Sequence, residues 1–178
     1  SDILESDGNL DCVYLDYAKA FDTVPHQRLL RKLYAYGIRG RVLNWIEAFL
    51  SDRQQQVRIG SSCSSWSPVL SGIPQGSVLG PTLFLVFIND LPGAVDNVVK
   101  LFADDTKIYR VINNQADISL LQKDLENLAD WSDKWLLRFN ADKCKCLHIG
   151  KDNQNHVYTM RDPSGRSNIQ DAKSEKDL

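Results

Sequence analysis

The stretch VVKLFADDTKIYRVI, Val98 to Ile112, constrains the fold more than any other. Two apolar runs of strand character are separated by a short acidic connection, which predicts an antiparallel hairpin. The connection holds two adjacent aspartates, Asp104 and Asp105. Neighbouring carboxylates repel each other, yet the flanking strands are apolar enough to belong to a core. A polar turn is one sufficient account of the pair. A second acidic strand end opens another: LDCVYLDYA reads as a buried strand ending near Asp16.

The remaining segments supply helices and a further hairpin. Pro25 suits the first turn of a helix, and HQRLLRKLYAYG carries an apolar stripe of Leu29, Leu30, Leu33 and Tyr34 that stops at Gly37. GRVLNWIEAFL predicts a second helix with Val42, Leu43, Ile46, Phe49 and Leu50 on one side. RQQQVRIG and SSCSSWSPVL read as two strands joined around Gly60. A helix starting near Ser77 is apolar on nearly all sides, which predicts burial. In ADISLLQKDLENLADWSDKW, Ile118, Leu121, Leu125 and Leu128 mark an amphipathic helix, with Asp117 placed to cap it or favour its first turn. KCKCLHIG is a last strand, and the polar MRDPSGRSNIQDAKSEKDL reads as a loop or frayed end. The expected fold is α+β, an antiparallel sheet with helices packed on one face.

Composition narrows the function classes. The chain has 178 residues, 43% of them hydrophobic, enough for a globular domain with a core. A net charge of -2 gives no overall basic footprint, although a basic channel can be local. The four cysteines lack zinc-knuckle spacing and read as reduced and structural. The longest apolar stretch, SVLGPTLFLVFINDLP, is broken by Pro81, so no transmembrane segment is expected. The chain opens on SDILESDGNL without an initiator methionine or signal segment, and both ends read as cuts through a larger protein.

If adjacent strands bring Asp16, Asp104 and Asp105 together, their repulsion calls for a divalent cation. Such oxygen donors suit magnesium. Two ions there would support in-line phosphoryl transfer, one activating the attacking hydroxyl and the other holding the leaving phosphates. Phe21, five residues past Asp16, is either a core phenylalanine or a ring that crowds a sugar's 2' position. The turn GIPQGS, with Gly72, Gln75 and Gly76, is either a plain helix entry or a place where backbone approaches a nucleic-acid strand. Lys143 is either a solvated lysine or a proton donor to departing pyrophosphate.

VYLDYAKAFDTVPHQRLLRKLYAYGI, SGIPQGSVLGPTLFLVFINDLP, LFADDTKIY and LRFNADKCKCLHIG together resemble the successive palm motifs of reverse transcriptases of non-LTR (LINE-type) retrotransposons. The similarity runs from about Asp11 to His148. The resemblance implies a polymerase palm-like fold in residues 1–150, with 151–178 a polar segment leading into a truncated primer-grip region at EKDL. It implies Asp16, Asp104 and Asp105 as catalytic metal ligands, with Asp104 the stronger and Asp105 the looser of the pair. Tyr17 would offer its carbonyl to metal, Phe21 would be the steric gate, and Gln75 and Gly76 would line the templating base pair and incoming nucleotide. Lys143 would approach the triphosphate.

The implied cofactor is Mg2+, two ions, with Mn2+ a substitute. The implied partners are an RNA template, a DNA primer, dNTPs, and the fingers and thumb regions of the same polyprotein, with no membrane. The implied setting is intracellular, nuclear and cytoplasmic, as a retroelement ribonucleoprotein. Fingers expected before Asp11, and the thumb and endonuclease, are missing from this stretch, so the expectation is inactivity in isolation. Marginal solubility is expected too, because surfaces that fingers and thumb would cover are exposed, among them the helix of Leu79, Leu83 and Phe87 if it lies at a domain boundary. The competing readings are a group II intron-like reverse transcriptase, a decayed or co-opted fragment acting as a non-catalytic binding module, and a calcium loop. The last lacks the alternating donors and glutamate of an EF-hand.

Overall fold

The computed structural model describes residues 8–162 and 165–174. In chain order the elements are β1 (Leu10–Leu15), α1 (Ala20–Thr23), α2 (His26–Ala35), α3 (Gly40–Leu50), β2 (Gln54–Gln55), β3 (Arg58–Ile59), β4 (Ser62–Cys63), β5 (Ser67–Pro68), α4 (Leu79–Ile88), a 3-10 turn (Leu91–Ala94), β6 (Val98–Phe102), β7 (Asp105–Val111), α5 (Gln115–Trp135), β8 (Lys145–Ile149), β9 (Thr159–Asp162), β10 (Gly165–Asn168) and β11 (Gln170–Ala172). They form two compact units, Lys19–Asn89 and the segments on either side of it. The fold is mixed α+β.

In the flanking unit, five strands form a sheet in the order β11-β8-β1-β7-β6. β1 is central and pairs antiparallel with β7, Leu10 opposite Val111 through Leu15 opposite Thr106, and with β8, Leu10 opposite Ile149 through Tyr14 opposite Lys145. That position explains why Cys12, Val13 and Leu15 are all buried: a central strand is covered on both faces. β6 and β7 form the hairpin expected around the aspartates. The sheet is not wholly antiparallel, however. β11 lies parallel to β8, with Gln170 opposite Lys145.

This also corrects the reading of the C-terminal segment as a loop. β9 and β10 make a hairpin, and Tyr158, Met160 and Ile169 are buried. The stretch EKDL and residues 1–7 lie outside the described residues.

α5 buries Ile118, Leu121, Leu125 and Leu128, the four residues its spacing predicts, together with Ala129 and Trp131. Each large apolar side chain contributes about 1.5–3 kcal/mol by leaving water. Its cap is Asn114, whose Oδ1 accepts from the Ala116 and Asp117 amides at 2.8 and 3.3 Å. Asp117 sits in the first turn, accepting from Arg110 Nε at 3.0 Å and the Asn113 amide at 3.0 Å. The helix stops where Leu136 turns left-handed, at φ 56°.

In the Lys19–Asn89 unit, α2 packs against α3 and α4. It buries Leu29, Leu30 and Leu33, while Tyr34 is exposed. On α3 only Ile46 and Leu50 are buried. The expected hairpin shrinks to nested two-residue ladders, β3–β4 inside β2–β5, all exposed. Gln54, Gln55, Ser62 and Ser67 are polar and Ile59 is exposed, so the ladders bury no apolar face that would extend the pairing.

α4 begins at Leu79, where Ser77 Oγ accepts from the Gly80 amide at 2.9 Å. Leu83 and Phe87 are buried, while the Pro81, Thr82 and Leu85 side is exposed. Lys32 donates to the Phe87 carbonyl and stands over the Phe87 ring, placing a cation at the negative end of α4. Among the described residues no helix is long and apolar enough to cross a membrane.

Candidate active site

Asp16 is the first residue after β1, and its chain is held by a second ladder. The Asn140 amide donates to the Asp16 carbonyl at 2.8 Å, and the Ala18 amide donates to Arg138 O at 2.8 Å. Between these bonds Tyr17 is buried, its ring stacked on Phe139 with centroids 4.7 Å apart. The Tyr17 hydroxyl accepts from Thr106 Oγ1 at 3.4 Å, tying the end of β1 to the start of β7. Burial holds the Tyr17 phenol well above its ordinary range.

The two aspartates of the hairpin are exposed. Phe102 pairs with Asp105, so the loop is the two residues Ala103 and Asp104, with Ala103 left-handed at φ 55°. The β1–β7 register ends with Leu15 opposite Thr106, so Asp16 and Asp105 are each the next residue along at the same end of the pair. Asp104 stands at the tip beside them.

The Asp16 side chain is partly exposed, but its Oδ1 is buried and has no hydrogen-bond partner. The Lys143 ammonium is 3.8 Å from that oxygen, too far for a hydrogen bond. Burial pushes the Asp16 carboxyl above its ordinary value; Lys143 opposes the rise, and Asp104 and Asp105 add to it. Cys144, beside this cluster, is also buried, and burial pushes its thiol up to about 11, which leaves it unreactive.

Among the described residues no three His, Cys, Asp or Glu side chains converge closely enough to hold a metal ion. The donors nonetheless fit one in kind: hard carboxylate oxygens, mutually repelling, one of them an orphan.

The other expected residues lie in the Lys19–Asn89 unit. Phe21 stacks on Phe84 with centroids 4.6 Å apart, and its carbonyl accepts from the Ile73 amide at 2.7 Å. Gln75 is exposed and donates through Nε2 to Asp22 Oδ1 at 2.9 Å. Gly76 is exposed with φ 76°, a conformation that favours glycine, and a Cβ there would meet nothing within 4 Å. Gly72 is different: at φ 90° its added Cβ would stand 2.7 Å from the Asp22 carbonyl.

A polar cluster that the sequence reading missed lies at the other end of β1. Asp11 is 1% exposed and accepts from Tyr158 OH at 2.6 Å, His148 Nδ1 at 2.6 Å and Asn153 Nδ2 at 2.8 Å. The signal was a charge inside an apolar strand, directly opposite a histidine on β8.

Residues 3–173 match the family profile "Reverse transcriptase (RNA-dependent DNA polymerase)". The chain is 35% identical over 140 residues to "RNA-directed DNA polymerase from mobile element jockey" of Drosophila melanogaster, covering 74% of this chain and 15% of that protein. It is 34% identical over 149 residues to "Probable RNA-directed DNA polymerase from transposon BS" of the same organism, covering 75% of this chain and 16% of that protein. The chain therefore spans about a sixth of the length of these relatives. Among solved structures, apo telomerase from Candida Tropicalis shares the fold with a TM-score of 0.60 at 13% identity, over 89% of this chain and 34% of the other.

Proposed function

This chain belongs to the reverse transcriptase family, in the branch of non-LTR retrotransposons, and from that premise we propose that it is the palm core of an RNA-directed DNA polymerase. In this reading residues 1–150 carry the palm and 151–178 lead toward a primer grip. The reaction is transfer of a dNTP to a primer 3'-hydroxyl on an RNA template, within a retroelement ribonucleoprotein of nucleus and cytoplasm. Fingers and thumb of the same polyprotein would complete it.

One observation carries the assignment: the buried, unpartnered Oδ1 of Asp16, just past the last β1–β7 pair, Leu15 and Thr106, at the end of a central strand. Unpaired buried carboxylate oxygens are rare because they lose hydration without replacement. Asp16, Asp104 and Asp105 would hold two Mg2+, with Mn2+ a substitute, and the Tyr17 carbonyl would lie beside them. The bound ions would activate the primer hydroxyl and hold the leaving pyrophosphate.

Lys143, whose ammonium already faces Asp16, would give its proton to that pyrophosphate. Phe21, fixed against Phe84, would close the space a 2'-hydroxyl needs. Gln75 and Gly76 would let the chain approach the new base pair, an exposed amide beside a residue without a side chain.

The test is magnesium-dependent dNTP addition to an RNA-templated primer by the protein extended to its fingers and thumb. Asp104→Asn is expected to abolish addition and to remove the Mn2+ binding seen by electron paramagnetic resonance. Unchanged addition and Mn2+ binding would overturn the ligand assignment.

A non-catalytic, co-opted binding module is the second reading. The lack of a converged ligand cluster among the described residues favours it. It would be upheld if the extended protein bound RNA and primer but added no nucleotide.

A further inference from the structure

A cavity of about 610 Å3 opens within the Lys19–Asn89 unit, a size that accommodates one nucleotide. Three pieces of backbone fix its walls. The first is the α1 turn, where the Lys19 carbonyl accepts from the Asp22 and Thr23 amides at 2.9 and 3.1 Å. The second is the start of β2, where the Arg53 carbonyl accepts from the Val69 amide at 2.8 Å. The third is the segment before α4, which Gly72 lets run against the Asp22 carbonyl and which Ser71 Oγ ties to that same carbonyl at 3.0 Å.

The walls carry a particular set of side chains. Arg53 and Lys19 line the cavity with two positive charges, and among the described residues neither side chain makes a hydrogen bond or ion pair. Asp22 also lines it. Its Oδ1 is occupied by Gln75 Nε2, which leaves Oδ2 for another donor. Leu70, 83% exposed, supplies an apolar surface.

A phosphate fits the two cations but is repelled by the carboxylate. A hydroxyl fits the carboxylate, and a ribose carries one beside its phosphate. Of the substrates in the polymerase reading, the primer and the dNTP have no 2'-hydroxyl, whereas the RNA template has one at every residue.

We propose that this cavity holds one nucleotide of the RNA template strand, its phosphate between Arg53 and Lys19 and its 2'-hydroxyl on Asp22. The proposal rests on the polymerase reading of the chain and adds to it a source of template preference. A DNA strand would leave the Asp22 oxygen without its donor, and a site built to bond a hydroxyl discriminates against the analogue that lacks it.

The experiment is fluorescence anisotropy of the 178-residue chain with a labelled single-stranded RNA oligonucleotide and its deoxy counterpart of the same sequence. The chain is expected to bind the RNA about tenfold more tightly. Arg53→Ala is expected to weaken both about tenfold and to lower the salt dependence by about one counterion, with Arg53→Lys restoring most of the loss. Asp22→Ala is expected to remove the RNA advantage, so that RNA and DNA bind with equal affinity.

Equal binding of RNA and DNA by the unaltered chain would overturn the ribose contact. An Arg53→Ala chain with unchanged affinity and salt dependence would overturn the site. Binding requires no nucleotide addition, so failure here is distinguishable from failure of the polymerase reading, which Asp104→Asn tests in the extended protein.

Discussion

Asp11→Ala is expected to be the most damaging single truncation at the open end of the sheet. The carboxylate is 1% exposed and accepts three hydrogen bonds, from Tyr158, His148 and Asn153, at 2.6, 2.6 and 2.8 Å. Removing it takes a shared acceptor from three parts of the chain, β8, the loop after it and the residue leading into β9, although Asn153 Nδ2 keeps the Leu10 and Ile149 carbonyls at 3.4 and 3.3 Å. Burial and the neighbouring Asp11 carboxylate hold the Tyr158 phenol far above its ordinary range, so it cannot ionise to relieve the loss.

Hydrogen bonds to a charged group are worth about 1.5–3 kcal/mol each, and loss of one partner from a buried charged cluster costs about 3–5 kcal/mol in total. That is a large share of the ~5–15 kcal/mol that holds a domain together. In urea, with a slope of about 2 kcal/mol per molar, the midpoint should fall by roughly 2 M. Tyr158→Phe removes one donor and leaves the carboxylate two, so its loss should be about 1–2 kcal/mol. The two changes should be strongly non-additive. A fall of less than about 1 kcal/mol for Asp11→Ala would refute the claim that this cluster joins β1, β8 and the C-terminal hairpin.

Gly72→Ala should destabilise the Lys19–Asn89 unit by about 2 kcal/mol or more, because its Cβ would press on the Asp22 carbonyl and its φ is 90°; thermal unfolding by circular dichroism would register it. Asp16→Asn should make the metal-free chain more stable near neutral pH, since the folded state holds the carboxyl above its ordinary 3.8 and stability is lost as pH rises through that higher value. The advantage of the variant should vanish below pH 3.8, where both states of the native residue are protonated, and urea midpoints across that range would show it.

Strong local signals carried over into structure. The apolar residues of α5 recur at helical spacing and are buried as that spacing requires, because a long helix declares its face many times. The β6–β7 hairpin was legible because its loop is short. The C-terminal strands were not. β9, β10 and β11 have three or four residues each, mostly polar, and the large apolar residues buried among or beside them are Tyr158, Met160 and Ile169. β11 joins the sheet parallel to β8, a pairing between distant segments for which no local pattern exists. The helix of Leu83 and Phe87 misled in the opposite direction: apolar residues all round predicted cover on every side, but its short length lets Pro81, Thr82 and Leu85 face outward.

The site shows why residue types are easier to read than their roles. Asp11, near the start of the central strand, and Asp16, just past its end, are five residues apart, an odd spacing that sends alternating side chains to opposite faces. Asp11 meets three donors, and each of its oxygens is satisfied within the fold. Asp16 has equally apolar neighbours in sequence, yet its Oδ1 is buried without a partner and its nearest cation stands 3.8 Å away. Nothing in either local sequence distinguishes them; the distinction comes from what β8, β7 and the C-terminal hairpin bring alongside. A carboxylate whose bonds are complete holds strands together and has no capacity left for a ligand. One left incomplete at a strand end, with two more carboxylates beside it raising its proton affinity, is stabilised by whatever cation supplies the missing contact. The cation binding proposed for the β1–β7 end thus rests on an imbalance that the opposite end of the same strand lacks.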